Sequence, residues 1–166
     1  MLYPSITLST STKQNAYKSL VRPIVEYAST VWDPYTQKDV HTLEMVQRRG
    51  ARYICNKLGN RSSVDHMLDK LEWKSLEQRR KEARLTMLFK IQNKDVDINA
   101  ENRLIPPRRL TRNMHQLSFQ VPNTNSGYRK FSFFPRTIRD WNSLSPDIVS
   151  AITLTTFKAK VAAMAE

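Results

Sequence analysis

Apolar positions along this chain fall mostly at helical spacing. In residues 13–32, Tyr17, Leu20, Val21, Ile24, Val25, Ala28, Val31 and Trp32 recur three and four apart on both sides of Pro23, which predicts two helical pieces or one kinked helix. Pro23 lacks the amide that would bond back to Ser19 and biases Arg22 away from the helical region, so the break is expected there. Asp33-Pro34-Tyr35 reads as a turn, and Thr36 or Asp39 can cap the helix that follows. On that helix Val40, Leu43, Val46, Gln47, Gly50, Tyr53 and Ile54 share one side. Arg48, Arg49 and Arg52 fall on the other, with Glu44 in reach of Arg48 alone. Leu58-Gly59-Asn60 is expected to end it.

Ser62 and Ser63 can cap a short helix carrying Val64, Met67, Leu68 and Leu71. Ser75 and Gln78 have capping-box spacing before a stripe of Leu76, Ala83, Met87 and Ile91; the first half of this helix is crowded with Arg79, Arg80, Lys81 and Arg84, the second is apolar almost all round. Periodicity is lost over residues 93–115, where Asn93, Asn99, Asn102, Pro106 and Pro107 predict a surface connector. Leu117, Phe119 and Val121 then alternate with polar residues, as do Phe131 and Phe133 after the turn-like stretch 122–127, which predicts a β-hairpin. Helices bearing Ile138, Trp141 and Leu144, then Leu154, Phe157 and Val161, are expected to pack on it. The expected fold is mainly α with a small β-hairpin (α+β): a helical lobe over 1–92, a basic Pro-containing connector over 93–115, and a hairpin-plus-helix module over 116–166.

Charge changes the picture from fold to partner. Twenty-seven Lys and Arg against fifteen Asp and Glu give a net charge of +12, which favours a polyanion through counterion release. Eight of these cations lie in residues 103–139, a stretch without one Asp or Glu. The helices have ordinary amphipathic cores and no run nears the ~18 apolar residues of a membrane span, so nucleic acid is preferred to a membrane as partner. The single Cys55 suits a reducing compartment, and no leader-like segment opens the chain, so it is read as soluble and intracellular, in cytoplasm or nucleus. His41, His66 and His115 lack metal-ligand spacing, and Asp65-His66 has no adjacent nucleophile. Asp95-x-Asp97 stands without further ligands, and three glycines build no phosphate-cradling loop. Neither a catalytic residue nor a cofactor is expected.

Four strings carry a family resemblance: residues 20–28 (LVRPIVEYA), 31–35 (VWDPY), 43–49 (LEMVQRR) and 133–144 (FFPRTIRDWNSL). In this order they resemble the C-terminal part of non-LTR (LINE-type, jockey-like) retrotransposon reverse transcriptases, over nearly the whole chain. The resemblance implies the region after the polymerase palm, so that 1–92 would be a thumb-like lobe beside a template-primer duplex. It also implies that fingers, palm and endonuclease belong upstream of Met1. No aromatic-x-Asp-Asp pair occurs in this chain, and the clustered carboxylates that hold a polymerase's two metals are absent from it. Gly50 stands where the family pattern has alanine, which fits drift in a degenerate copy or close backbone packing.

The expected function is therefore a noncatalytic fragment that binds RNA, DNA or an RNA/DNA hybrid, and can meet the remainder of a reverse transcriptase. The candidate contacts are Arg48, Arg49, Arg52, Arg79, Arg80, Arg108, Arg109, Arg112, Arg129, Lys130, Arg136 and Arg139. For Arg48, Arg49, Arg52, Arg79 and Arg80, a merely solvated face weighs as much as a phosphate contact. A helical protein-interaction module with a solvated basic face is the alternative.

Overall fold

The computed structural model describes residues 8–57, 63–112 and 114–164. The described chain is mainly helical. Its elements are α1 (Thr10–Ala16), a π-helical turn (Tyr17–Val21), α2 (Arg22–Glu26), α3 (Gln37–Ile54), α4 (Val64–Lys70), α5 (Leu76–Gln92), α6 (Gly127–Lys130), α7 (Phe133–Asn142), α8 (Pro146–Val149) and α9 (Leu154–Ala163). The described residues within Met1–Tyr27 and Pro34–Glu77 form one compact unit; those within Ala28–Asp33 and Gln78–Glu166 form a second.

Pro23 does not break the first helix. The amide of Arg22 bonds to the carbonyl of Tyr17, five residues back, and this π turn admits Pro23 at the start of α2. Thr36 caps α3 by accepting from the amide of Asp39, and Ser63 caps α4 by accepting from that of His66. Ser62 and Leu58-Gly59-Asn60 lie outside the described residues. Helix α3 closes after Ile54 through Asn56 at φ 54°, with the amide of Lys57 on the carbonyl of Arg52 at 2.9 Å. Helices α4 and α5 end in the same way: Glu72 (φ 54°) and Lys94 (φ 59°) take the left-handed conformation, and the next amide reaches back across the last turn.

In the first unit, Tyr17, Ala51, Ile54, Met67, Leu71 and Trp73 make the core, with Tyr17 stacked on Trp73 at 4.5 Å between ring centres. The buried stripe of α3 is Val40, Gln47, Ala51 and Ile54. The expected inclusion of Tyr53 is corrected, since it is exposed. Gln47 is buried because its amide donates to the carbonyl of Lys74 at 2.9 Å, so a polar side chain holds a core position.

In the second unit, Leu85, Leu88 and Phe89 of α5 meet Ile138 and Trp141 of α7, Ile148 and Val149 of α8, and Phe157 and Val161 of α9. Phe157 stacks on Phe89 at 4.4 Å. The expected hairpin is not present: no strand occurs among the described residues, and Phe133, expected in its second strand, opens helix α7. Phe119 is buried, and its amide and carbonyl are both taken by the Asn142 side chain, at 3.0 and 2.7 Å. One side-chain amide thus supplies what a neighbouring strand would. The amide of Gln120 bonds to the carbonyl of Ile105 at 2.7 Å, and the buried His115 bonds through Nε2 to the carbonyl of Trp141 at 3.0 Å. Because a carbonyl only accepts, Nε2 carries the proton there. The expected surface connector is corrected in part, because Ala100 and His115 are buried.

Candidate nucleic-acid interface

Each cation of an interface must be both exposed and unclaimed by the protein's own carboxylates. In the first unit Arg48 pairs with Asp65 at 2.9 Å across an exposed contact of small energetic weight. Glu44, expected to pair with Arg48, instead accepts from the amide of Glu77 at the start of α5, where an anion is favoured. Arg49 is exposed and Arg52 half-buried.

Helix α5 holds the largest departure from the sequence reading. Arg80 and Arg84 lie one turn apart on the same face as Leu88 and Ile91, and their side chains are 2% and 4% exposed. What permits this is Asp33, whose side chain is 8% exposed. The Arg84 guanidinium pairs with Asp33 and donates to Asp140 at 2.8 Å. Arg136 of α7 reaches Asp33 Oδ2 at 3.0 Å and its backbone carbonyl at 3.1 Å, while Arg80 Nε stands 3.9 Å from Asp33 Oδ1 and its guanidinium covers the Trp32 ring. Three guanidiniums therefore converge on one carboxylate, with Asp140 as a second. Burial lowers the pKa of Arg84 from its ordinary value; the hydrogen bond to Asp140 opposes this and the charge of Arg136 adds to it. Arg80 is thus corrected from a surface cation to an internal one, and the half-buried Arg136 is held by the same carboxylate, because a guanidinium in reach of a buried carboxylate is claimed by it. The stripe of α5 is corrected too: Ala83 and Met87 are only half-buried.

Arg79 is half-buried and engaged in contacts of its own. Arg139, also half-buried, donates to the carbonyl of Lys130 at 3.2 Å. Arg108, Arg109, Arg112, Arg129 and Lys130 are exposed. None of these five forms an ion pair with another described residue, although Lys130 lies over the Phe131 ring. Arg103 belongs with them and was not singled out by the sequence; it is exposed and lines a cavity together with Arg129. A run of 26 positions separates the two, so no local pattern pairs them.

Among the described residues no group of three or more His, Cys, Asp or Glu side chains is placed to hold a metal ion, and no helix is long and apolar enough to cross a membrane. No protein-family model, curated protein or solved structure matches the chain. What the geometry itself offers is a set of unclaimed cations on the second unit, over a core braced by an internal ion cluster.

Proposed function

We propose that the chain is a noncatalytic nucleic-acid-binding part of a non-LTR retrotransposon reverse transcriptase, gripping RNA or an RNA/DNA hybrid through phosphates with little sequence preference. The observation that carries this reading is the exposure of Arg103, Arg108, Arg109, Arg112, Arg129 and Lys130 without a carboxylate partner among the described residues. Further support comes from the resemblance. Two of its strings meet in one cluster, since Asp33 of the Val-Trp-Asp-Pro-Tyr string pairs with Arg136 of the Phe-Phe-Pro-Arg string.

Affinity for a labelled RNA/DNA hybrid, followed by fluorescence anisotropy across salt, tests the reading. With about five phosphates neutralised, log affinity falls against log salt with a slope of roughly −3.5 to −4.5. Replacing Arg108, Arg109 and Arg112 together by Gln weakens binding to every sequence alike and flattens the slope by up to about three units. Binding indifferent to salt, or absent at low salt, sinks the proposal.

A second reading, a helical protein-interaction module, is favoured by the exposed Leu20, Ile24 and Tyr27 of the first unit. Capture of a protein partner with no loss of affinity at high salt would favour it.

A further inference from the structure

We propose, resting on the nucleic-acid reading above, that a cavity of the second unit receives one unpaired nucleotide of a bound strand. Its base would lie on an apolar wall, with the neighbouring phosphates on Arg103 and Arg129. The cavity measures about 500 Å³, inside the ~300–1,000 Å³ range of small-ligand sites. Val31, Ile98, Phe133 and Phe134 contribute its apolar wall. Val31 is 83% and Ile98 45% exposed, so the fold itself does not cover this wall. Phe133 and Phe134 stand edge to face at 5.1 Å and are only half-buried. Aromatic rings of this kind hold bases without regard to sequence.

Charge selects the occupant. Two guanidiniums and no carboxylate line the cavity, and neither Arg103 nor Arg129 forms an ion pair with a described residue. An apolar ligand would leave both cations idle, and a free anion would leave the apolar wall wet. A nucleotide within a strand satisfies both, because each base lies between two phosphates. Asn123 and Thr124 also line the cavity and can both donate to and accept from a base edge. A paired base is held in its stack and cannot enter, so the site favours a bulged or single-stranded position, where little has to be unstacked.

The test compares two RNA hairpins of equal length, one fully paired and one with a single bulged 2-aminopurine, in anisotropy and 2-aminopurine emission. Wild-type chain is expected to bind the bulged hairpin roughly tenfold more tightly, the size of one base-aromatic stack, with a change in emission. Val31→Trp, at an exposed position, fills the cavity; it should abolish the preference and leave the salt slope on the paired hairpin unchanged. Ile98→Trp is an independent block of the same kind, and circular dichroism checks that both variants fold. Arg103→Gln with Arg129→Gln should reduce the preference and flatten the slope. Salt-dependent binding with no preference for the bulge, or a preference that survives both blocks, overturns this proposal alone. Absence of binding to either hairpin at low salt overturns it together with the nucleic-acid reading.

Discussion

Gly50 shows how one missing methyl sets a helix contact. A Cβ built on it would lie 2.5 Å from Cε2 and 2.8 Å from Cδ2 of Tyr17, and that ring is buried and stacked against Trp73, so making room for the methyl disturbs the stack. Helix propensity alone favours alanine by about 1 kcal/mol. Overpacking a fixed core ring typically costs about 1–3 kcal/mol, which reverses the sign. Gly50→Ala is therefore expected to destabilise the chain, as a lowered urea midpoint at unchanged slope. A rise in the midpoint would mean that the Tyr17 ring gives way easily. Of the two explanations that the sequence leaves open for this glycine, close packing is the one with a physical partner.

At the scale of elements, the Asp33 cluster joins the segment before α3 to helices α5 and α7 through charge rather than apolar burial. Removing one member of a buried ion pair is expensive, about 3–5 kcal/mol, because the partners keep their burial and lose their counterion. Asp33→Asn is expected to lower unfolding stability by about that amount, leaving Arg80, Arg84 and Arg136 facing one another across a neutral amide. Combining it with Arg84→Met should recover part of the loss, since a surplus charge is then removed. Urea unfolding of the single and double variants decides it, and a loss below about 1 kcal/mol for Asp33→Asn would show that water or rearrangement replaces the carboxylate. The cluster also marks where the sequence stops being legible. Helix caps such as Thr36 and Ser63, the stripe of Phe157 and Val161, and the helix around Ile138 and Trp141 all follow from local spacing. Arg80 and Arg84 break that logic, because their burial depends on Asp33, some fifty positions earlier in the chain. The hairpin failed for a similar reason: of the alternating Leu117, Phe119 and Val121 only Phe119 is buried, beside the polar Ser118, and its backbone is met by the side chain of Asn142 rather than by a second strand. Of the candidate contacts, the exposure of Arg108, Arg109 and Arg112 agrees with their Pro-containing neighbourhood, whereas Arg103 needed the cavity to single it out.

For the whole molecule, the net charge of +12 means that folding concentrates cations that repel one another. Salt shortens the reach of that repulsion to about 10 Å at 0.1 M, and acts less on the internal ion cluster than on exposed residues such as Arg108 and Arg109. Raising sodium chloride from about 20 to about 300 mM should therefore raise the melting temperature of the free chain by a few degrees, the shift that about 1 kcal/mol gives at this length. A polyanion does the opposite with salt. At low salt an RNA strand at about 100 times its dissociation constant adds about 2.7 kcal/mol by mass action on the folded state. Its affinity collapses as counterion release loses its drive, so the increment should vanish at about 300 mM. Melting curves with and without RNA are thus expected to converge from opposite directions as salt rises, the free chain gaining and the bound one losing. Parallel curves would mean that the cations of this chain meet solvent alone; an RNA increment that persists at high salt would mean that the strand is held by something other than charge.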